Sequence, residues 1–253
     1  MPHLFIQPEI FSAFEELRAL QTTRHGGISQ EPFATLNLGH NTSDNPANVL
    51  QNRRTLCSRI GIDLSSLVMA DQVHGTKVYH AIEGGHHTGY DALITDRKNV
   101  FLCIFTADCF PVLLYDHEHE AVGAVHAGWK GTAANAVGTT IAAMTEKFGT
   151  SPSACLVWIG TGISGNAYEV GRKVADRFSG KYLAVSSDDR ILLDLASANF
   201  DQLLDAGIPR SSIEVSPFCT VRNNEDFFSY RKEKGNTGRM MALIGITPGN
   251  RTS

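Results

Sequence analysis

The sequence predicts an α+β fold: a single domain with mixed, largely antiparallel β-sheets flanked by helices. Two observations carry this. Short β-branched and aromatic runs recur through the middle of the chain between Gly, Asp and Asn punctuation. Segments with helical spacing are interspersed among them rather than alternating strictly, and several strand-to-strand connections are too short for a crossover helix, so hairpins must be present.

The elements follow in order. Pro46 to Ile60 carries apolar residues three and four apart and is the first predicted helix. Strands are predicted at Lys77 to Ala81, Ala92 to Thr95, Val100 to Phe105, Val112 to Tyr115, Ala121 to Val125 and Leu156 to Ile159. Thr132 to Phe148 and Ala196 to Ala206 complete the helices. The glycine-rich Gly84 to Tyr90 reads as a surface loop, with His86 and His87 solvated rather than ligating. No low-complexity linker, charge block or internal repeat divides the chain, so one domain over residues 1–253 is expected.

Composition narrows the class of function. Hydrophobic residues make up 42% and charged residues 19% of 253, close to the globular average. A net charge of -4, with Lys and Arg scattered, lacks the basic stripe of a nucleic-acid binder, so a small-molecule substrate is expected. No run approaches the roughly 20 apolar residues of a membrane span, and the N-terminal residues lack a secretory pattern. A cytoplasmic protein with no membrane and no obligate protein partner is the expectation. The five cysteines are odd in number and widely spaced, which reads as reduced thiols. Cys103 and Cys155 lie inside apolar runs and read as core.

Cys109 is different. In TADCFPVLLYDHEHEAVGAVHAGWKG two apolar runs flank a charged turn, the pattern of a hairpin, and Cys109 enters where His126 leaves. With Tyr115 near Glu120, Cys109 and His126 face one another with Cα atoms on the order of 5 Å apart. That spacing suits one metal at about 2.3 Å from sulfur and 2.0 Å from nitrogen, and equally a Cys–His nucleophile pair. His74 in DQVHG, at a predicted strand end beside Gly75, is the leading third ligand.

Three protein ligands leave a fourth position for water, and zinc would bring the pKa of that water toward ~7. Copper suits the same donors, while availability in the cell favours zinc. Asp108 is a candidate for orienting a ligand or for acid/base work, with a local turn as its alternative. The turn after His126, with Lys130, is a candidate anion site, as are Arg24 in TRHGGIS and Arg231 in FFSYR. GTGISG fits a dinucleotide pattern, yet the residues after it do not open a helix.

Read together, TRHGGIS, NLGHNTSDNPANVLQNR, DQVHG, DALIT, TADCFPVLLYD, AVGAVHAGWKGT, YEVG, DLASANFDQLLDAGI, FFSYR and GRMMALI resemble one family, the YfiH-like proteins. Its members are variously named laccase-domain protein, multicopper polyphenol oxidoreductase, peptidoglycan editing factor and purine nucleoside phosphorylase. The resemblance runs from about Thr23 to Ile244 and places the family's metal triad on His74, Cys109 and His126. It implies zinc-dependent phosphorolysis of adenosine, inosine and 5′-methylthioadenosine to free base and ribose 1-phosphate, with adenosine deamination. Copper-dependent polyphenol oxidation and an amide hydrolysis on cell-wall precursors are its alternatives. A multicopper oxidase needs many histidines in His-x-His pairs, and the chain has only His117 and His119 in a charged turn.

Overall fold

A computed structural model describes residues 3–248. Two six-stranded sheets pack face to face, and a three-stranded sheet lies beside them. In the first sheet the spatial order is Phe5–Ile6, Leu17–Thr22, Met240–Ile246, Phe101–Thr106, Leu67–Asp71 and Gly85–Thr88. The second runs Ile213–Val215, Cys155–Ile159, Phe110–Asp116, Ala121–Ala127, Ala92–Thr95 and Val78–His80. Antiparallel pairings dominate, with parallel ones toward the margins, as where Gly85–Thr88 meets Leu67–Asp71 and Val78–His80 meets Ala92–Thr95. The α+β architecture agrees with the sequence reading.

Strand periodicity explains the layers. Along Phe101–Thr106, Leu102 and Ile104 face the second sheet, packing with Leu113, Tyr115, Trp158 and Ile244, while Phe101, Cys103 and Phe105 face outward. The outward face is covered by the helix Pro46–Ile60 through Leu56 and Cys57. The second sheet buries its own outer side chains, Val112, Leu114, Val125 and Val157, beneath the helices Ala136–Phe148 and Leu195–Asp205. Strands covered on both faces read as continuous apolar runs, which is why these were legible as strands. Cys103 and Cys155 are buried, as expected of core residues.

The first helix has the predicted bounds because its ends are encoded locally. The Asn45 side chain accepts from the Ala47 amide at 2.9 Å, Pro46 occupies the first turn, and Gly61 closes the helix at φ 72°. Three expectations need correction. Thr132 to Phe148 is not one helix: a short helix Trp129–Ala133 is separated from Ala136–Phe148 by Asn135, whose φ of 57° interrupts the helical backbone. Gly84 to Tyr90 is not a loop, since Gly85–Thr88 forms the edge strand of the first sheet. Its composition hid this, because an edge strand needs backbone pairing on one side only.

The third correction is the hairpin register. Tyr115 pairs with Val122 rather than lying near Glu120, so His126 faces Pro111 and not Cys109. Cys109 lies in a bend between Phe101–Thr106 of the first sheet and Phe110–Asp116 of the second, where Asp108 has φ 93°. The bend, rather than cross-strand pairing, brings its sulfur to His126.

Candidate metal centre

The three site residues come from two connections and one strand end. His74 lies in the turn after Leu67–Asp71, with φ 61°. Cys109 sits in the bend joining the sheets, and His126 is buried near the end of Ala121–Ala127. Their ligand atoms all lie within 4.8 Å of one another, and the two imidazole rings meet edge to face with centroids 4.8 Å apart.

Asp91, which the sequence reading passed over, organises this group. It enters the strand Ala92–Thr95, and pairing of Ala92 with Val125 sets it beside His126. The His126 amide donates to the Asp91 carbonyl at 2.7 Å, and its Nδ1–H donates to the Asp91 carboxylate at 2.9 Å. The ring therefore presents Nε2 to the site. The same carboxylate accepts the amides of Val73, His74 and Gly75 at 3.2, 2.8 and 2.6 Å, fixing the turn that carries the second imidazole. The only signal was the Asp that opens DALIT, which in isolation reads as a strand-end residue.

The electrostatics favour a thiolate. Burial pushes the Cys109 thiol up, but the His126 charge and hydrogen bonds from His126 and His74 outweigh it and bring the thiol well below its ordinary value. Burial pushes His126 down, and the Cys109 and Asp91 charges outweigh that in turn, raising it. Asp91 is lowered despite burial, by the His126 hydrogen bond and the amides it accepts.

These residues fit a metal. One sulfur and two imidazole nitrogens converge, the Asp91 carboxylate sets the ring proton of His126 away from the centre, and Gly128 keeps the approach open. A Cβ at Gly128 would stand 2.8 Å from the Cys109 sulfur, closer than real contacts allow, and a tight 3.2 Å from His74 Cδ2.

The trio opens onto a cavity of about 540 Å³, whose walls include Phe105, Trp129, Tyr168, Tyr230, Arg231 and Arg239. Asp108 also lines it, but its carboxylate accepts Thr220 and Ser229 hydroxyls at 2.6 and 2.7 Å and the Arg231 amide at 2.6 Å. The Arg231 guanidinium lies over the Tyr168 ring at 5.2 Å, with Nη1 on the Glu169 carbonyl. Arg239, which the sequence reading missed, lies 5.6 Å over the Tyr230 ring.

Two expected anion binders are not at this cavity. Lys130 is exposed on the short helix, its ammonium 5.7 Å from the Trp129 ring, while Trp129 itself lines the wall. Arg24 is committed elsewhere: it donates to the Ala34 and Asn224 carbonyls at 3.0 and 2.9 Å, pairs with Glu233 at 3.1 Å and covers Phe228 at 4.6 Å. Its guanidinium thereby ties down the 224–233 segment that carries Arg231. Arg24→Lys should lower the melting temperature by several degrees, since replacing a charge-assisted network costs about 1.5–3 kcal/mol. Thermal unfolding checks this; an unchanged melting temperature with weakened phosphate use would return Arg24 to anion binding.

With this geometry in view, similarity to known proteins decides the family. The family described as multi-copper polyphenol oxidoreductase laccase matches residues 18–247. The chain belongs to that family. It is 37% identical over 250 residues to the purine nucleoside phosphorylase YlmD of Bacillus subtilis, covering 92% of this chain and 89% of that one. A purine nucleoside phosphorylase of Deinococcus radiodurans is 42% identical over 228 residues, covering 89% and 87%. The crystal structure of YlmD from Geobacillus stearothermophilus superposes with a TM-score of 0.92 at 33% identity, covering 97% of both chains. The YfiH-like resemblance and its fold are thus borne out. Among the described residues no helix is long and apolar enough to cross a membrane.

Proposed function

We propose that this chain is a zinc-dependent purine nucleoside phosphorylase, acting on adenosine, inosine and 5′-methylthioadenosine, with adenosine deamination as a second activity of the same centre. The observation that carries the reading is the His74–Cys109–His126 group at the wall of a cavity lined by aromatic rings and two guanidinium groups. Purine nucleoside phosphorylase names among relatives of this similarity support it.

In this reading His74, Cys109 and His126 hold the ion, which supplies Lewis acidity to an oxygen bound beside it. Trp129, Tyr168 and Tyr230 offer flat faces for a purine. The Tyr168 phenol is held up at about 12 by burial and the Cys109 charge, so it stays a neutral hydrogen-bonding group. Arg231 and Arg239 take the place assigned to Arg24: hydrogen bonds to carbonyls engage Nη1 of each, and a guanidinium has five N–H donors. In this reading they hold the phosphate whose oxygen attacks C1′ as the bond to the base breaks. Asp108 acts through them as a positioning residue, because its oxygens already fix the Arg231 backbone and the loop hydroxyls.

Zinc is favoured over a multicopper arrangement. Beyond the triad, the described residues hold one other group of three candidate ligands, His40, Asp71 and His86, and His117 and His119 belong to neither group. The family's description keeps copper-dependent phenol oxidation as the alternative. The deciding experiment is metal analysis of the purified chain with product analysis on inosine and adenosine. Release of hypoxanthine that requires phosphate and yields ribose 1-phosphate is expected. Phosphate-independent release of ribose, or phenol oxidation that tracks copper content without any base release, would overturn the reading.

A further inference from the structure

A second group of metal-ligating side chains stands at the rim of the same cavity. His40 follows the loop after Leu38, Asp71 ends the strand Leu67–Asp71, and His86 lies on the edge strand Gly85–Thr88. Parallel pairing of these strands, with Asp71 opposite Thr88 and Met69 opposite His86, puts Asp71 and His86 on one face of the sheet as diagonal neighbours. Their ligand atoms, with that of His40, all lie within 4.8 Å of one another. His40 Nε2 is 2.8 Å and His86 Nε2 3.1 Å from the same carboxylate oxygen, and the Asn41 amide approaches that atom at 3.4 Å.

Three side-chain nitrogens thus converge on one carboxylate oxygen. The His40 ring is held by the edge of Phe105 at 5.5 Å and meets His86 with centroids 4.5 Å apart, so neither imidazole must travel far to ligate. The side chains keep 23%, 35% and 44% of their exposure for His40, Asp71 and His86, enough for an ion to enter with its waters.

We infer that His40, Asp71 and His86 form a second binding site for a first-row divalent ion of the zinc, copper or nickel kind. Two imidazoles and one carboxylate are the donor set of open sites for such ions, and the absence of a thiolate makes this site weaker than the first. Arg53 opposes loading. Its Nη2 lies 3.3 Å from His40 Nδ1, and a ring ligating through Nε2 carries its proton on Nδ1, so that contact must loosen while Arg53 keeps its bonds to the Leu38 carbonyl. The site therefore fills after the first. This inference rests on neither the substrate nor the reaction proposed above.

Cobalt(II) titration of the metal-stripped full chain separates the two sites, because only a thiolate-bound ion gives an intense thiolate-to-cobalt charge-transfer band. The native chain is expected to take up two equivalents, the first with that band and the second with visible bands alone. In Cys109→Ala one thiolate-free equivalent should remain. His86→Ala and Asp71→Asn should each keep the thiolate band and weaken the second equivalent about tenfold or more. His86 is exposed on an edge strand, so its variant should fold; circular dichroism checks both. A native chain that binds one equivalent only, or a second equivalent indifferent to both substitutions, overturns the inference.

Discussion

Cys109→Ala is expected to remove both the metal held at the triad and the activity. The thiolate is the one charged ligand of the trio; without it two neutral imidazoles remain, and that pair cannot hold an ion against exchange with buffer. Losing a ligand should exceed the roughly 10- to 100-fold affinity loss that follows removal of a residue supporting a ligand. Stability should change little, because the side chain sits in a bend at the cavity wall rather than in the sandwich core. Two measurements check this: metal content per chain after dialysis, and release of base from inosine. A Cys109→Ala chain that retains near-stoichiometric metal at the triad and normal turnover would remove Cys109 from the centre. A chain that retains metal at the triad but loses turnover would make the cysteine a nucleophile, the pairing that sequence spacing alone left open.

How much of this was legible in the sequence depends on how local the signal was. The helix Pro46–Ile60 is bounded by residues that act on their own neighbours, Asn45 through its side chain and Gly61 through its left-handed backbone, so its ends could be read without the fold. Strands covered on both faces announce themselves as apolar runs. Gly85–Thr88 carries neither signal, since it is held by parallel pairing with a strand that ends fourteen residues earlier at Asp71. That His74, Cys109 and His126 come together was legible from their residue types and the resemblance, even though the pairing invoked for Cys109 and His126 was off by two positions. What rescued it is the bend at Asp108, whose positive φ no pattern encodes. Arg24 shows the converse. A guanidinium beside glycines suggests an anion site, but its partners are carbonyls and a carboxylate up to about 200 positions away, visible only once the chain has folded.

Asp91→Ala should combine loss of metal affinity with loss of stability, the largest joint effect of any single substitution outside the trio. The carboxylate is fully buried and accepts four hydrogen bonds, from three successive amides and the His126 ring. Its removal strands the amides in a turn whose His74 backbone stands at φ 61°, a conformation with no reason to persist once they lose their acceptor. An unsatisfied buried donor costs about 1–3 kcal/mol, so destabilisation of several kcal/mol is expected even if water replaces part of the carboxylate. Metal affinity should fall about 10- to 100-fold, because His126 loses the group that fixes its ring proton away from the ion. Asp91→Asn distinguishes the two effects. Its amide oxygen can still accept from the turn, but its NH2 group cannot accept, and the His126 ring loses a negative partner. Its melting temperature should fall less than that of Asp91→Ala, with a comparable drop in metal affinity. Thermal unfolding of the metal-free protein reports the first effect and competition with a chelator the second. If Asp91→Asn binds metal as the native chain does, the carboxylate serves the turn alone and His126 is oriented by its strand.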